Sequence, residues 1–148
     1  MQRPVEARDV RFLRDMLRHA YHWRIDEDTE RPVYRYIRNW GRKGDAGVIA
    51  LEGAHAYGAA WYRLFTADEP GFGFVDEATP ELTIAVVPSR RGKGAGKELL
   101  EALVERARAD GHGAVSLSTD PALAAWYERL GFEQVGATPH AVTMLKRL

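Results

Sequence analysis

A chain of 148 residues with 45% hydrophobic and 28% charged side chains is long enough to bury its own core, and it reads as one domain over residues 1–148. Its 21 basic and 21 acidic residues cancel, which argues against bulk attraction to nucleic acid or to a membrane surface. Cysteine is absent, so disulfides, thiolate metal sites and a cysteine nucleophile are excluded and a cytoplasmic protein is expected.

The start, MQRPVEARDVRFLRD, is charged and lacks the apolar core of a signal peptide, and no apolar run approaches the length of a membrane span. Arg3 to Ala7 reads as a first edge strand. Asp9 is placed to cap a helix whose apolar positions are Val10, Leu13, Leu17, Ala20 and Tyr21. A charged break, Arg24 to Glu30, follows. Thr29 and Pro32 then open a second helix with Val33, Tyr36, Ile37 and Trp40 at i, i+3, i+4 and i+7, ended by Gly41 and Gly44. His19 and His22 stand three apart on the first helix, but no third ligand is evident and no metal is expected.

Val48 to Leu51 and Ala56 to Phe65 read as strands joined by a turn at Glu52-Gly53. Gly58, Ala59 and Ala60 are small for a strand interior, so either another backbone or a ligand packs close there. Thr66 to Thr79 is a polar loop carrying Asp68, Glu69, Asp76 and Glu77, which either attract a cationic amine or are solvated.

Glu81 to Leu100, ELTIAVVPSRRGKGAGKELL, organises the rest. Leu82 to Val87 is an apolar, β-branched run, a buried strand. Pro88 to Gly96 is a turn of glycine and arginine. From Lys97 onward Leu99, Leu100, Leu103, Val104 and Ala107 make one face of a helix, stopped by Gly111 and Gly113. Strand, glycine turn and helix together bind anions, because the first helical amides lack internal partners at the positive end of the dipole. A Walker loop fails, since neither Gly-Lys pair is followed by Ser or Thr. The dinucleotide fingerprint also fails, since Gly92, Gly94 and Gly96 are spaced G-x-G-x-G. Further on, Ala114 to Leu117 is a strand, Asp120 caps a helix with Pro121 in its first turn, and Phe132 to Val135 and Ala141 to Leu145 are closing strands.

Arg91-Gly92-Lys93-Gly94-Ala95-Gly96 after a strand ending Ile84-Ala85-Val86-Val87-Pro88 resembles motif A of the GCN5-related N-acetyltransferases. Asp120 to Phe132 resembles motif B of the same family, with Tyr127 and Gly131-Phe132 in register. Asp120 stands where asparagine is common and Leu123 where alanine is common. The resemblance implies a mixed α/β (α+β) fold: a mostly antiparallel central sheet, helices on both faces, and a splayed strand pair for the cofactor. It implies acetyl transfer from acetyl-CoA to a primary amine of a small molecule or peptide. Arg91, Gly92, Lys93, Gly94, Ala95, Gly96 and Lys97 would take the pyrophosphate, and Ile84, Ala85 and Val86 would line the pantetheine arm. Tyr127 would be the general acid for the departing thiolate. Family members place a carboxylate at the position that Pro80 holds here. Glu81, one residue off, is therefore the candidate base, although a one-residue shift in a strand points the side chain to the other face. Trp23, Tyr34 and Tyr36 either contact the acceptor or pack as core. Dimerisation through the last strands is implied as well. Two other readings stand beside this one: a CoA-binding module without turnover, and a nucleic-acid-binding domain built on Arg90 to Lys97, against which the neutral net charge argues.

Overall fold

The computed structural model describes residues 1–23 and 33–148. The expected break at Arg24 to Glu30 and the helix opening at Thr29 and Pro32 lie outside the described residues.

Seven strands form one sheet in the order β1-β2-β3-β4-β5-β7-β6. They are β1 (Gln2–Pro4), β2 (Ala46–Glu52), β3 (His55–Arg63), β4 (Glu81–Val86), β5 (Ala114–Thr119), β6 (Glu133–Ala137) and β7 (Val142–Arg147). Every neighbouring pair is antiparallel except β4 and β5, which run parallel and meet at a single register pair, Glu81 with Ser116. Beyond that point the two strands diverge. The mixed, mostly antiparallel sheet with a splayed strand pair is thus the observed architecture.

Helices cover both faces. The helix α1 (Val10–Tyr21) packs Leu13, Met16, Leu17 and Tyr21 on one face, against Ile49, Ala59, Trp61 and Ala85. On the other, α2 (Ala95–Ala109) and the short α3 (Ala124–Arg129) pack Leu99, Leu100, Leu103, Val104, Ala107 and Tyr127 against Ala60, Tyr62, Leu82, Val115, Leu117 and Met144. Strand residues divide between the two cores by parity: Ala59 and Trp61 go to α1, Ala60 and Tyr62 to α2. Burying each leucine of α2 contributes about 2 kcal/mol, so the helix is held by its stripe. The small residues of β3 have their reason here: a Cβ at Gly58 would stand 3.0 Å from the Leu99 side chain, so α2 is what packs close.

Three expectations shift. Asp9 precedes α1 but makes no side-chain cap bond. Its carboxylate instead takes the Arg3 guanidinium through two bonds of 2.7 and 2.8 Å and the Glu6 amide at 2.7 Å, stronger charge-assisted partners than a neutral helix amide. The helix α2 begins at Ala95 rather than Lys97, because Gly94 (φ +84°) turns the chain into it one residue after the glycine-lysine pair. The third shift is one of detail: the acids of the loop 66–79 are exposed, as in the solvated reading, and three of them also bond within the protein, Glu69 with Arg38, Glu77 with the Ala67 amide and Asp76 with the Ala78 amide.

After residue 32 the chain is helical at Val33 and Tyr34 and then forms turns to Asn39, with the Ile37 and Arg38 amides bonded back to the Tyr34 carbonyl. It is anchored from below by Arg63, fully buried, which forms a two-bond pair with Asp45 (2.9 and 2.7 Å) and donates to the carbonyls of Arg35 (3.0 Å) and Arg38 (2.6 Å).

Candidate active site

The splay of β4 from β5 opens a cleft of about 560 Å³ that runs from the glycine turn to the C-terminal end of α1. Backbone parity decides what it presents. The Val87 amide bonds to Tyr57 on β3, so Ala85 and Thr83 also face β3. Ile84 and Val86 then turn their N–H and C=O groups toward the gap, in step with Pro80, whose carbonyl accepts from Ser116 on β5. An extended arm laid in the gap finds the unpaired edge of a strand.

The turn has the geometry of an anion cradle. Gly92 (φ +80°) and Gly94 (φ +84°) adopt left-handed backbone, and a Cβ built on either meets nothing within 4 Å, so the space beside them is open. The first helical bond runs from the Glu98 amide to the Gly94 carbonyl at 3.1 Å, which leaves the amides of Ala95, Gly96 and Lys97 at the open end of α2. Arg91 is fixed by its Nε, which donates to the Val86 carbonyl at 2.9 Å. Arg90 also lines the cleft, and its guanidinium pairs with Glu52 and lies 4.9 Å over the Tyr57 ring.

Ile84, Ala85, Val86, Arg91, Gly92, Gly94, Ala95, Gly96 and Lys97 all line the cleft, and Lys93 does not, being exposed on the outer side of the turn. Tyr127 lines it from α3, wedged edge-on between Trp126 and Phe132, and its burial pushes the phenol pKa up, so it stays a neutral donor. Asp120 caps the turn leading into α3 by accepting the Ala122 amide at 3.0 Å, which is how α3 comes to present Tyr127.

The three aromatic candidates part company. Trp23 lines the cleft, with its indole N–H held by the Ala20 carbonyl at 2.9 Å. Tyr34 lies outside it beneath the Arg14 guanidinium, 5.2 Å from the ring centre. Tyr36 is buried at 1% exposure, stacked with Tyr21 and Phe72, and its hydroxyl donates to Glu81 Oε2 and accepts the Phe72 amide at 2.8 Å.

Glu81 is neither solvated nor part of the cleft wall. It is 1% exposed, on the α1 side of the sheet behind Tyr36. Among the residues that reach the cleft on that side are Tyr21 and Thr83, whose hydroxyls lie 3.3 Å apart. Sequence reasoning left Thr83 unremarked. The signal was there, a lone hydroxyl inside the apolar run Leu82–Val86. His22 Nδ1 lies 3.0 Å from the His19 carbonyl oxygen, and among the described residues no three groups converge as metal ligands.

The chain matches the Acetyltransferase (GNAT) family over residues 10–132. Two curated relatives, L-methionine sulfoximine/L-methionine sulfone acetyltransferases of Pseudomonas aeruginosa and Pseudomonas paraeruginosa, are 45% identical over 64 residues, a stretch that spans 41% of this chain and 37% of each relative. Among solved structures, the ribosomal-protein-alanine N-acetyltransferase from Brucella melitensis superposes with a TM-score of 0.73 at 24% identity over 100% of this chain and 99% of that one. A phosphinothricin acetyltransferase from Sinorhizobium meliloti, solved with acetyl-CoA, gives 0.72 at 24% identity over 100% and 88%. No helix among the described residues is long and apolar enough to cross a membrane. With the glycine turn, the splayed strands and the family match over 123 of its residues, 10 through 132, the chain belongs to the acetyltransferase (GNAT) family.

Proposed function

We propose that this protein is an N-acetyltransferase that moves an acetyl group from acetyl-CoA directly to a primary amine of a small molecule or peptide. One observation carries the reading: a single cleft joins the cradle at Arg91–Lys97, the unpaired edge of Ile84–Val86 and the neutral phenol of Tyr127. Acetyl-CoA supplies the activated acyl group as a thioester. The solved relative that holds acetyl-CoA supports this choice of donor.

The amides of Ala95, Gly96 and Lys97 and the open space at Gly92 and Gly94 suit a pyrophosphate. Holding that end turns a long, flexible donor into a positioned one, which removes entropy cost from the reaction. An amide of Ile84 or Val86 facing the thioester carbonyl stabilises the charge that builds on its oxygen. Tyr127 gives its proton to the departing sulfur. The acceptor enters from the opposite end, past Trp23. Glu81 is the final acceptor of the amine's proton, without touching the amine. The protein works as a single domain in the cytoplasm, as a homodimer through β6 and β7.

The test is thiol release from acetyl-CoA across a panel of amines that includes L-methionine sulfone, an amino acid and a peptide N-terminus. The protein has no cysteine, so it adds no thiol background. Release that depends on one acceptor supports the reading. Stabilisation by acetyl-CoA without release for any amine would make the protein a CoA-binding module, and no binding would sink the cradle.

A further inference from the structure

Glu81 lies behind the cleft wall, with the Tyr36 hydroxyl on its carboxylate and the hydroxyl-bearing Tyr21 and Thr83 at the cleft. We propose that Thr83, Tyr21 and Tyr36 form a proton relay that carries the acceptor amine's proton from the cleft to the buried carboxylate of Glu81. The inference rests on the acetyltransfer reading above and adds the route.

The geometry gives the relay its direction. Tyr36 Oη donates to Glu81 Oε2 and accepts the Phe72 amide at 2.8 Å, so its remaining lone pair can take one more donor. Tyr21 stands next to it, with ring centres 5.1 Å apart. The Tyr36 phenol is held well above its ordinary pKa by burial first, then by the Glu81 charge, with hydrogen bonds to Glu81 and Tyr21 adding to the effect. The Tyr21 hydroxyl in turn meets Thr83 Oγ1 at 3.3 Å, and both residues line the cleft. At the far end the loop closes tightly. A Cβ at Gly71 would collide with the Glu81 carboxylate and come within 2.8 Å of the Tyr36 hydroxyl. The proposed route from the cleft to Glu81 runs along the three hydroxyls, on the side away from this closed loop.

An ammonium sheds two protons in becoming an amide. The first leaves before attack. The Thr83–Tyr21 end accepts it, each hydroxyl passes its own proton inward, and Glu81 ends protonated with the amine's lone pair free. The nitrogen–carbon bond then forms and the carbon–sulfur bond breaks. The second proton ends on the thiol, through Tyr127. Glu81 later returns its proton to solvent by the same line.

The relay matters only for an amine that arrives protonated, and this sets the test. Wild type, Tyr36→Phe and Tyr21→Phe are assayed with L-methionine sulfone, whose amine is largely protonated at neutral pH, and with hydroxylamine, which is largely neutral there. Acetyl-CoA binding and the melting temperature are followed for each. The expected result is a kcat/KM loss of about 100-fold for L-methionine sulfone and under about 3-fold for hydroxylamine in both variants, with acetyl-CoA binding kept. Tyr21→Phe keeps the ring and loses only the hydroxyl, so it stands in if Tyr36→Phe unfolds. Equal losses on both amines, or none on either, overturn the relay while leaving the transferase standing. A wild type that binds acetyl-CoA but acetylates neither amine nor any in the panel overturns both.

Discussion

The two halves of the proposed active site, one for the acyl donor and one for the acceptor, are built in different ways. The donor half is made of backbone. Its working groups are amides at the end of α2 and on the edge of β4, and its side chains serve mainly to bring that backbone into place: leucines under α2, and glycines where a Cβ would fill the cradle. The acceptor half is made of side chains that come from far apart. Tyr21 and Thr83 are 62 residues apart, Tyr36 and Glu81 45, and Arg63 and Arg35 28. A backbone site tolerates changes of side chain as long as its turn holds. A site of converging polar side chains fails when one partner goes.

The largest effect should therefore come from the acceptor half. Arg63 and Asp45 are 1% and 2% exposed at their side chains, so Asp45→Ala leaves a buried guanidinium with no counter-charge beneath the 33–39 segment. A loss of about 3–5 kcal/mol in urea unfolding is expected. Asp45→Asn, which keeps the shape and an acceptor, should lose less. Losses of the same size from truncating the outer Arg90–Glu52 pair beside the glycine turn would break the contrast between the halves; under 1 kcal/mol is expected there, because both side chains are solvated. Next in size is Tyr127→Phe, the one side chain in the donor half given a chemical task. It should lower kcat about 100-fold, near 2.7 kcal/mol of barrier, with unfolding and acetyl-CoA binding little changed, measured by steady-state kinetics beside calorimetry.

This contrast also explains what could be read in advance. The donor half was legible because it is local: strand, turn and helix lie within Glu81–Leu100, and glycine spacing states the backbone conformation directly. The mostly antiparallel sheet and the splayed pair followed from the family resemblance and are what the sheet shows. The acceptor half was not legible, because no local pattern says that Tyr36 meets Glu81 or that Gly71 seals the pair. Tyr36 is core, one of the two readings, and its hydroxyl is in addition the partner of a buried carboxylate. Parity did not settle Glu81: Thr83 and Ala85, on the same side of the strand, line the cleft, whereas Glu81 stands buried behind Tyr36. The acids of the 66–79 loop are exposed, as the solvated reading had it, and the loop's glycines are the closer constraint.

Those glycines sharpen the comparison further. At Gly73 a Cβ would stand 2.5 Å from the Leu117 carbonyl carbon and 2.7 Å from the Ser118 amide, both backbone of β5. Gly73→Ala must push the loop off the sheet and should lose about 1–3 kcal/mol. Gly92→Ala meets no atom, and only its left-handed φ of +80° resists, so about 1 kcal/mol is expected. The functional ranking should invert: Gly92→Ala weakens acetyl-CoA binding in titration calorimetry by filling the cradle, and Gly73→Ala leaves that affinity nearly unchanged. Equal effects on binding would mean that the two halves are not separable.

The smallest effect is a pH dependence, and its sign follows from two carboxylates, one in each half. Asp9 is held below the ordinary carboxylate range, chiefly by its hydrogen bond with Arg3, and Asp110 chiefly by the hydrogen bond from Tyr62. A lowered folded-state pKa means that the unfolded chain binds protons more readily. The stabilisation is therefore complete above the unfolded carboxylate value of about 3.9 and fades as pH falls through the folded value beneath it. The Asp9 side chain is 9% exposed and that of Asp110 is 36% exposed, so water screens the second more. Acid should then loosen the α1 side first. Urea midpoints taken from pH 5 down to pH 3 should fall less steeply in Asp9→Asn than in wild type, with a smaller flattening in Asp110→Asn. Identical slopes in wild type and Asp9→Asn would mean that the Arg3–Asp9 pair does not hold in solution, and that the start of α1 is fixed by its apolar stripe alone.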